Sequence, residues 1–475
     1  MTDEGRIVAN TAYRVVAEVV SKLISIAFYI VLAREVGDAS FGIFTFGLAF
    51  VALVTTLATF GQDAIVVREV SRRRDLVHDY FANTLALKTL LAVPALVLAV
   101  GIATAAGMDS TTRLVILLLG VGVTAETLMA TCFGVFQAFD RLGFIPVVLV
   151  LQRAAMTAVG IPVILAGGGV AAASAVYLAS ALLALALALG FLGRRVVRPQ
   201  LRVQAGRWLP LMRTAAPVGF ANVFSTTLFR IDTALLALLT TNAVVGDYGA
   251  AYRLFEATLF FTWSVSSVTY PLFSRLAAGE AAFTFVKERA LKLGLVPTVP
   301  LAVGALVLGG PVIALLYGNE FEEAGTALML LAPAIALYPV EHVASAMLIA
   351  QDRQRIVAVV LGAVAAANVA LNLVLIPLFS LNGAAAATSL SELGLTAAFL
   401  VFARRLTGPL DWLRVASGPA LGGLAAGIAM LVLRDHVLVA TAAGALAYVL
   451  VLALWERRRF PEDARALSDF ILWRA

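Results

Sequence analysis

The chain reads as a succession of apolar stretches, each about 20 residues or longer, cut by short charged or Gly/Pro-containing turns. Fourteen are predicted as membrane-crossing helices: 9–33, 40–61, 81–106, 114–138, 144–166, 170–192, 209–240, 247–274, 290–316, 322–350, 356–378, 383–403, 416–434 and 437–455. No run of roughly 10-residue alternating segments suggests a transmembrane β-barrel. The expected fold is therefore all-α and polytopic. The first stretch follows Asp3 and Glu4 and carries Arg14, Glu18 and Lys22, which is unlike a cleaved leader, so it is expected to remain in the protein.

Composition removes the soluble alternatives. Hydrophobic residues make up 61% of the 475 and charged residues 13%, against about 25% charged in a soluble domain. That much apolar surface needs lipid as its solvent. The single cysteine, Cys132, allows no internal disulfide, and His78, His342 and His436 are far apart, so neither metal nor cofactor is expected.

Charge then sets orientation. Alternate loops and both ends hold 24 Lys and Arg, among them Arg68, Arg72, Arg73, Arg74, Arg194, Arg195, Lys287, Arg404, Arg405 and Arg457, whereas the opposite loops hold only Arg34, Arg113 and Arg434. Basic residues concentrate on the cytoplasmic side, which predicts both termini in the cytoplasm of a cell membrane. The net charge of +6 is spread over these juxtamembrane loops and forms no single basic face, so nucleic acid is not an expected partner.

The longest basic loop, Gly193–Pro210, separates six spans from the next six. The expected division is an N-terminal lobe at 1–199, a second lobe at 200–406, and a final pair with a basic tail at 407–475. A weak repeat supports it: Val36-Gly37-Asp38 leads to Phe41-Gly42, and Val245-Gly246-Asp247 leads to Tyr248-Gly249. Six spans return the chain to its starting side, so the lobes would be parallel pseudo-symmetric repeats with substrate between them. The final pair falls outside the repeat and is expected to carry no buried charge that would suggest transport work.

Three stretches carry a family likeness. Phe229–Ala257 resembles the start of the second lobe in oligosaccharide flippases of the polysaccharide-transporter family, Asn368–Glu392 resembles that family's spans eleven and twelve, and Gly134–Gly143 resembles its turn between spans four and five. The likeness covers nearly the whole chain and implies a superfamily that includes multidrug extruders and lipid II flippases. It also implies transport of a lipid-linked oligosaccharide, with membrane lipids and glycan-assembly proteins as partners, and no catalytic residues.

Charges inside the spans are the candidate site, because an ionisable group at the bilayer centre costs at least about 2.5–3.5 kcal/mol unless it is paired or hydrated. Arg14, Glu18 and Lys22 fall at i,i+4 spacing on one helix face. Lys88, Glu126 and Arg153 follow, with Glu126 and Arg153 at matching depth and able to neutralise each other. Arg213 begins span seven, while Arg230, Asp232, Arg253 and Glu256 share a depth and are expected to meet. The substrate set is Arg14, Lys22, Lys88, Arg153, Arg213, Arg230 and Arg253, since guanidinium and ammonium groups suit a phosphate or pyrophosphate headgroup. The set for ion coupling or gating is Glu18, Glu126, Asp232, Glu256, Glu341 and Glu392, with His342 beside Glu341. Lys292 is expected to snorkel to the cytoplasmic surface, and Asn368 and Asn372 to join helices.

The function expected from these readings is a flippase moving a polyprenyl phosphate- or pyrophosphate-linked oligosaccharide from the cytoplasmic to the outer leaflet by alternating access, for cell-surface polysaccharide. A cation-coupled multidrug extruder and a lipid II-type flippase are the rivals within transport. A membrane glycosyltransferase or polymerase would need a larger extramembrane domain than loops of about 20 residues or fewer supply.

Overall fold

The structure is a computed structural model. It describes residues 3–200, 202–276 and 281–462, without the side chains of 3–19, 263, 264, 267 and 268. Among the described residues there is no strand. The described residues form thirteen α-helices: α1 (Asp3–Thr59), α2 (Gln62–Arg72), α3 (Val77–Ala105), α4 (Ser110–Ala138), α5 (Phe144–Leu165), α6 (Val170–Phe191), α7 (Trp208–Leu239), α8 (Asn242–Arg275), α9 (Ala281–Tyr317), α10 (Glu322–Ala350), α11 (Gln354–Thr407), α12 (Trp412–Val432) and α13 (Val437–Arg459).

Eleven of them are long and apolar enough to cross a membrane. Two of these eleven are double. Helix α1 is broken at Gly37, with φ 76° and ψ 171°, and α11 at Ser380, with φ 54° and ψ −134°. Each break therefore divides two of the predicted spans, and α8, 34 residues long, supplies the fourteenth despite its Ser, Thr and charged positions. Outward-facing side chains such as Val432 (77% exposed), Leu438 and Leu424 form the apolar surface that the composition requires.

The turns are tighter than the sequence suggests. Stretches read as loops of several residues at 34–39 and 379–382 contract to single-residue breaks, because small and apolar neighbours continue the helix up to one left-handed residue. Only glycine occupies that region at little cost, as at Gly37. The reverse holds after span two. Residues 62–72, read as loop, form α2, whose Ile65, Val66 and Val70 are buried while Arg68 and Arg72 lie outward. At the start of α4, Asp109 accepts from the Thr111 N–H at 3.1 Å and from the Thr112 hydroxyl. The Thr112 bond holds its carboxyl below the ordinary carboxylate range.

Two compact units emerge, Met1–Gly249 and Ala250–Ala475, so α8 starts in the first and continues in the second. In the first, α1 packs on α3, α4, α5 and α7, and α4 packs on α6. The segment before α7 straps onto α3. Asn83 accepts from the Gln204 N–H (2.8 Å) and from Trp208 Nε1 (3.1 Å), and donates to the Arg202 carbonyl (3.2 Å), while Arg207 pairs with Asp79 at 2.8 Å. In the second unit α10 sits between α9 and α11, and the α12–α13 hairpin packs on α9 through Leu308, Ala426, Met430, Ala440 and Tyr448.

Candidate functional site

Lys88 is the most deeply set of the described candidate cations, 1% exposed on α3. Its ammonium donates to both oxygens of Asp63 (2.6 and 2.7 Å), to the Thr127 carbonyl (2.8 Å) and to Thr131 Oγ1 (2.9 Å). Thr131 in turn donates to Asp63 at 3.0 Å. An ammonium has three protons, and all are spent inside the protein. Asp63 lies in the 62–72 segment that hydropathy reads as loop; an acid two residues after Gly61 (φ 72°), in the first turn of a helix, is the signal that could have found it.

Glu126 on α4 and Arg153 on α5 do come together, but loosely. Arg153 Nη2 stands 3.8 Å from Glu126 Oε1. The carboxylate's close bonds come from Gln152 Nε2 at 2.5 Å and the Tyr177 hydroxyl at 2.8 Å. Glu126 is thus fixed by neutral donors, while the Arg153 side chain remains 24% exposed. A guanidinium in that state can still offer its planar fork to an oxyanion. Tyr177 belongs to an aromatic group with Phe44, Phe28 and Tyr29, whose rigid walls hold the polar centre in place.

On α7, Asp232 is fully buried; it accepts from the Thr233 N–H at 2.6 Å and from the Tyr248 hydroxyl. Arg253 and Glu256 pair along one helix at 2.8 Å. Lys22 and Arg230 are half-buried and Arg213 is exposed. The side chains of Arg14 and Glu18 lie outside the described residues.

The second unit gathers a different set. Glu341 is buried and touches His342, whose ring lies 4.2 Å from that of Tyr338, and Glu392 is half-buried on α11. Asn368 donates to Ser391 Oγ at 3.0 Å across the Ser380 break, and Asn372 donates to the Asn368 carbonyl at 2.9 Å. The asparagines are helix joints.

Three expectations are overturned here. Lys292 does not snorkel. It is 2% exposed and pairs at 2.8 Å with Glu456, also 2% exposed, under the ring of Phe460 at 4.7 Å. Glu456 also means that the final hairpin carries a buried charge, one residue past the predicted end of its last span. Lys287, counted among the topology-setting loop charges, is buried as well. Its ammonium donates to the carbonyls of Thr407 (2.7 Å), Pro409 (3.0 Å) and Gly408 (3.2 Å), where a cation suits the carboxyl end of α11. Among the described residues no cluster of three or more His, Cys, Asp or Glu side chains is placed to hold a metal ion.

Comparison with known proteins gives the chain a family and the fold its likenesses. The sequence model of the family described as polysaccharide biosynthesis protein matches residues 7–277. A relative from Haloferax volcanii, named "Probable low-salt glycan biosynthesis flippase Agl15", is 24% identical over 369 residues, 76% of this chain and 75% of its own length. A second from the same organism, "Probable flippase AglR", is 28% identical over 169 residues, 34% of this chain and 35% of its own. Among solved structures, the lipid II flippase MurJ in its inward closed conformation superposes with a TM-score of 0.80, at 14% identity, over 93% of this chain and 98% of that one. An inward-facing multidrug resistance MATE family transporter gives 0.66, at 13% identity, over 82% and 94%. These two likenesses establish a shared fold.

Proposed function

Because the chain belongs to the polysaccharide biosynthesis protein family, we propose that it flips a lipid-linked oligosaccharide from the cytoplasmic to the outer leaflet, both termini lying in the cytoplasm. The carrier would be a polyprenyl phosphate or pyrophosphate. Its headgroup would enter a polar, cationic interior while its tail stays in lipid, and the protein would open alternately to the two sides. The names of the Haloferax relatives, both called flippases, support the reading.

The observation that carries it is Arg153. It is set inside a span with its guanidinium 3.8 Å from the Glu126 carboxylate, so it keeps donor capacity for phosphate oxygens. Lys22, Arg213, Arg230 and Arg253, with Arg14, complete the proposed cationic set. Lys88 serves it indirectly, by holding α2 against α3 and α4. Movement between two states needs a ligand or ion that favours one of them. Of the acids Glu18, Glu126, Asp232, Glu256, Glu341 and Glu392, Glu341 is the strongest candidate for answering a coupled ion, since it is buried beside His342. Glycan-assembly proteins at the outer face would receive the product.

The test is flipping of a lipid-linked oligosaccharide in proteoliposomes. Arg153→Ala should lower it at least tenfold and Arg153→Lys less, both with unchanged thermal unfolding. Wild-type rates in the Ala variant would remove Arg153 from substrate binding. Efflux of organic cations by a protein that moves no lipid-linked glycan would favour the extruder instead.

A further inference from the structure

Glu126 stands among three donor groups and is bonded closely to the two neutral ones. Its carboxylate lies on α4, facing Gln152 and Arg153 of α5 and Tyr177 of α6, and α6 packs against both other helices. Gln152 Nε2 donates to Oε1 at 2.5 Å and the Tyr177 hydroxyl donates to Oε2 at 2.8 Å, whereas Arg153 Nη2 stops 3.8 Å from Oε1. A guanidinium–carboxylate bond closes at about 2.7–2.9 Å and is roughly twice as strong as a bond from a neutral donor. The strongest partner is therefore the one held off.

Packing explains how the weaker donors prevail. Gln152 is fully buried and Tyr177 is 4% exposed, so both donors are fixed in place. The Tyr177 ring meets Phe44 edge-on and rests on a gap in α4: a Cβ on Gly122 would lie 2.9 Å from both Tyr177 Cδ1 and Cε1. Gly122 is one turn before Glu126 on the same helix face, so the missing side chain brings the ring close enough for its hydroxyl to reach the carboxylate. Gln152 Oε1 is buried with no hydrogen-bond partner among the described residues, so the amide is oriented by Glu126 and not by a bond to its own oxygen. An arginine with no counter-ion is costly inside a span, and one in a closed fork with a carboxylate has its donors occupied. A counter-ion about 1 Å beyond bonding distance avoids both, because it offsets the charge and leaves the planar fork open.

We propose that Tyr177 and Gln152 are positioning residues, holding Glu126 off Arg153 so that this carboxylate and a phosphate oxyanion of the substrate compete for one guanidinium. The competition keeps the headgroup's hold weak enough for release. What Arg153 binds rests on the flippase reading; how Glu126 is held does not. It follows that Tyr177 acts on substrate only through Glu126.

The experiment uses the full chain in proteoliposomes with a polyprenyl pyrophosphate-linked oligosaccharide. Tyr177→Phe removes one neutral donor and lets Glu126 close on Arg153, so KM should rise at least fivefold, with the smaller part of the loss in kcat. Glu126→Gln removes the competitor and should lower KM at least threefold. Adding Tyr177→Phe to Glu126→Gln should change KM no further, a non-additivity that a packing role for Tyr177 would not produce. Gly122→Ala, which pushes the ring off its seat, should raise KM as Tyr177→Phe does. An unchanged KM in both folded variants would overturn the proposal, and so would a rise that persists in the Glu126→Gln background. A second arm needs no transport. The purified protein is treated with phenylglyoxal, an arginine reagent, and the adduct on Arg153 is read by mass spectrometry. Modification should slow at least threefold in Tyr177→Phe and return to the wild-type rate or above when Glu126→Gln is added. An unchanged rate in Tyr177→Phe would overturn the held-off counter-ion. Slower modification in that variant, when the wild-type chain flips no glycan, would keep the positioning and discard the flippase reading.

Discussion

Lys88 shows why a buried cation inside a span need not be a ligand contact. Removing water from an ammonium costs several kcal/mol, and only close, saturated bonding offsets that. Asp63, Thr131 and the Thr127 carbonyl supply it. Lys88→Ala leaves Asp63 without its cation, so the variant should lose about 3–5 kcal/mol of stability, read as a lower unfolding temperature in detergent. Pairing Lys88→Met with Asp63→Asn should recover most of it. If the single change instead removed transport and left unfolding untouched, Lys88 would belong with Arg153 as a substrate contact. The two cations look alike in sequence, each a lone charge in an apolar span. What separates them is the partner, and the partner of Lys88 comes from a segment 25 residues earlier that hydropathy reads as loop.

At the scale of the helices, the breaks at Gly37 and Ser380 are chemically unequal. Glycine enters the left-handed region freely, whereas a residue with a Cβ pays roughly 1–2 kcal/mol there. Ser380, at φ 54°, therefore stores strain at the turn that reverses α11. Ser380→Gly should raise the unfolding temperature by an amount equivalent to about 1 kcal/mol, and Ser380→Ala should give no such gain. A destabilised glycine variant would show that the serine hydroxyl supports the turn more than its backbone angle harms it. The span pattern was legible because apolar length is imposed by the bilayer and appears directly in composition. Turn length was not, since one left-handed residue suffices and hydropathy cannot distinguish it from a short loop. Ion partners were equally hidden: Lys287 bonds to carbonyls 120 residues away, and no local pattern encodes that.

For the whole molecule, the question is whether the α12–α13 hairpin takes part in transport or completes the packing of α9. Its contacts with α9 are extensive: the Lys292–Glu456 pair, the Tyr448 hydroxyl on the Val296 carbonyl at 2.7 Å, and the apolar cluster around Leu308 and Met430. A chain ending at Leu410 would take Glu456 away from the buried Lys292 and uncover an apolar face. That charge, rather than the lost surface, should dominate the damage, because the bilayer can cover the apolar face but cannot hydrate an ammonium. The truncated chain should therefore accumulate poorly in the membrane, and adding Lys292→Leu should restore its level several-fold. Measuring flipping in that restored protein separates the roles. Transport near the full-length rate would assign the hairpin to stability, whereas a well-inserted protein that no longer flips glycan would assign it to the passage of the lipid-linked substrate. If Lys292→Leu restored nothing, the apolar contacts with α9 would be the dominant requirement and the ion pair secondary.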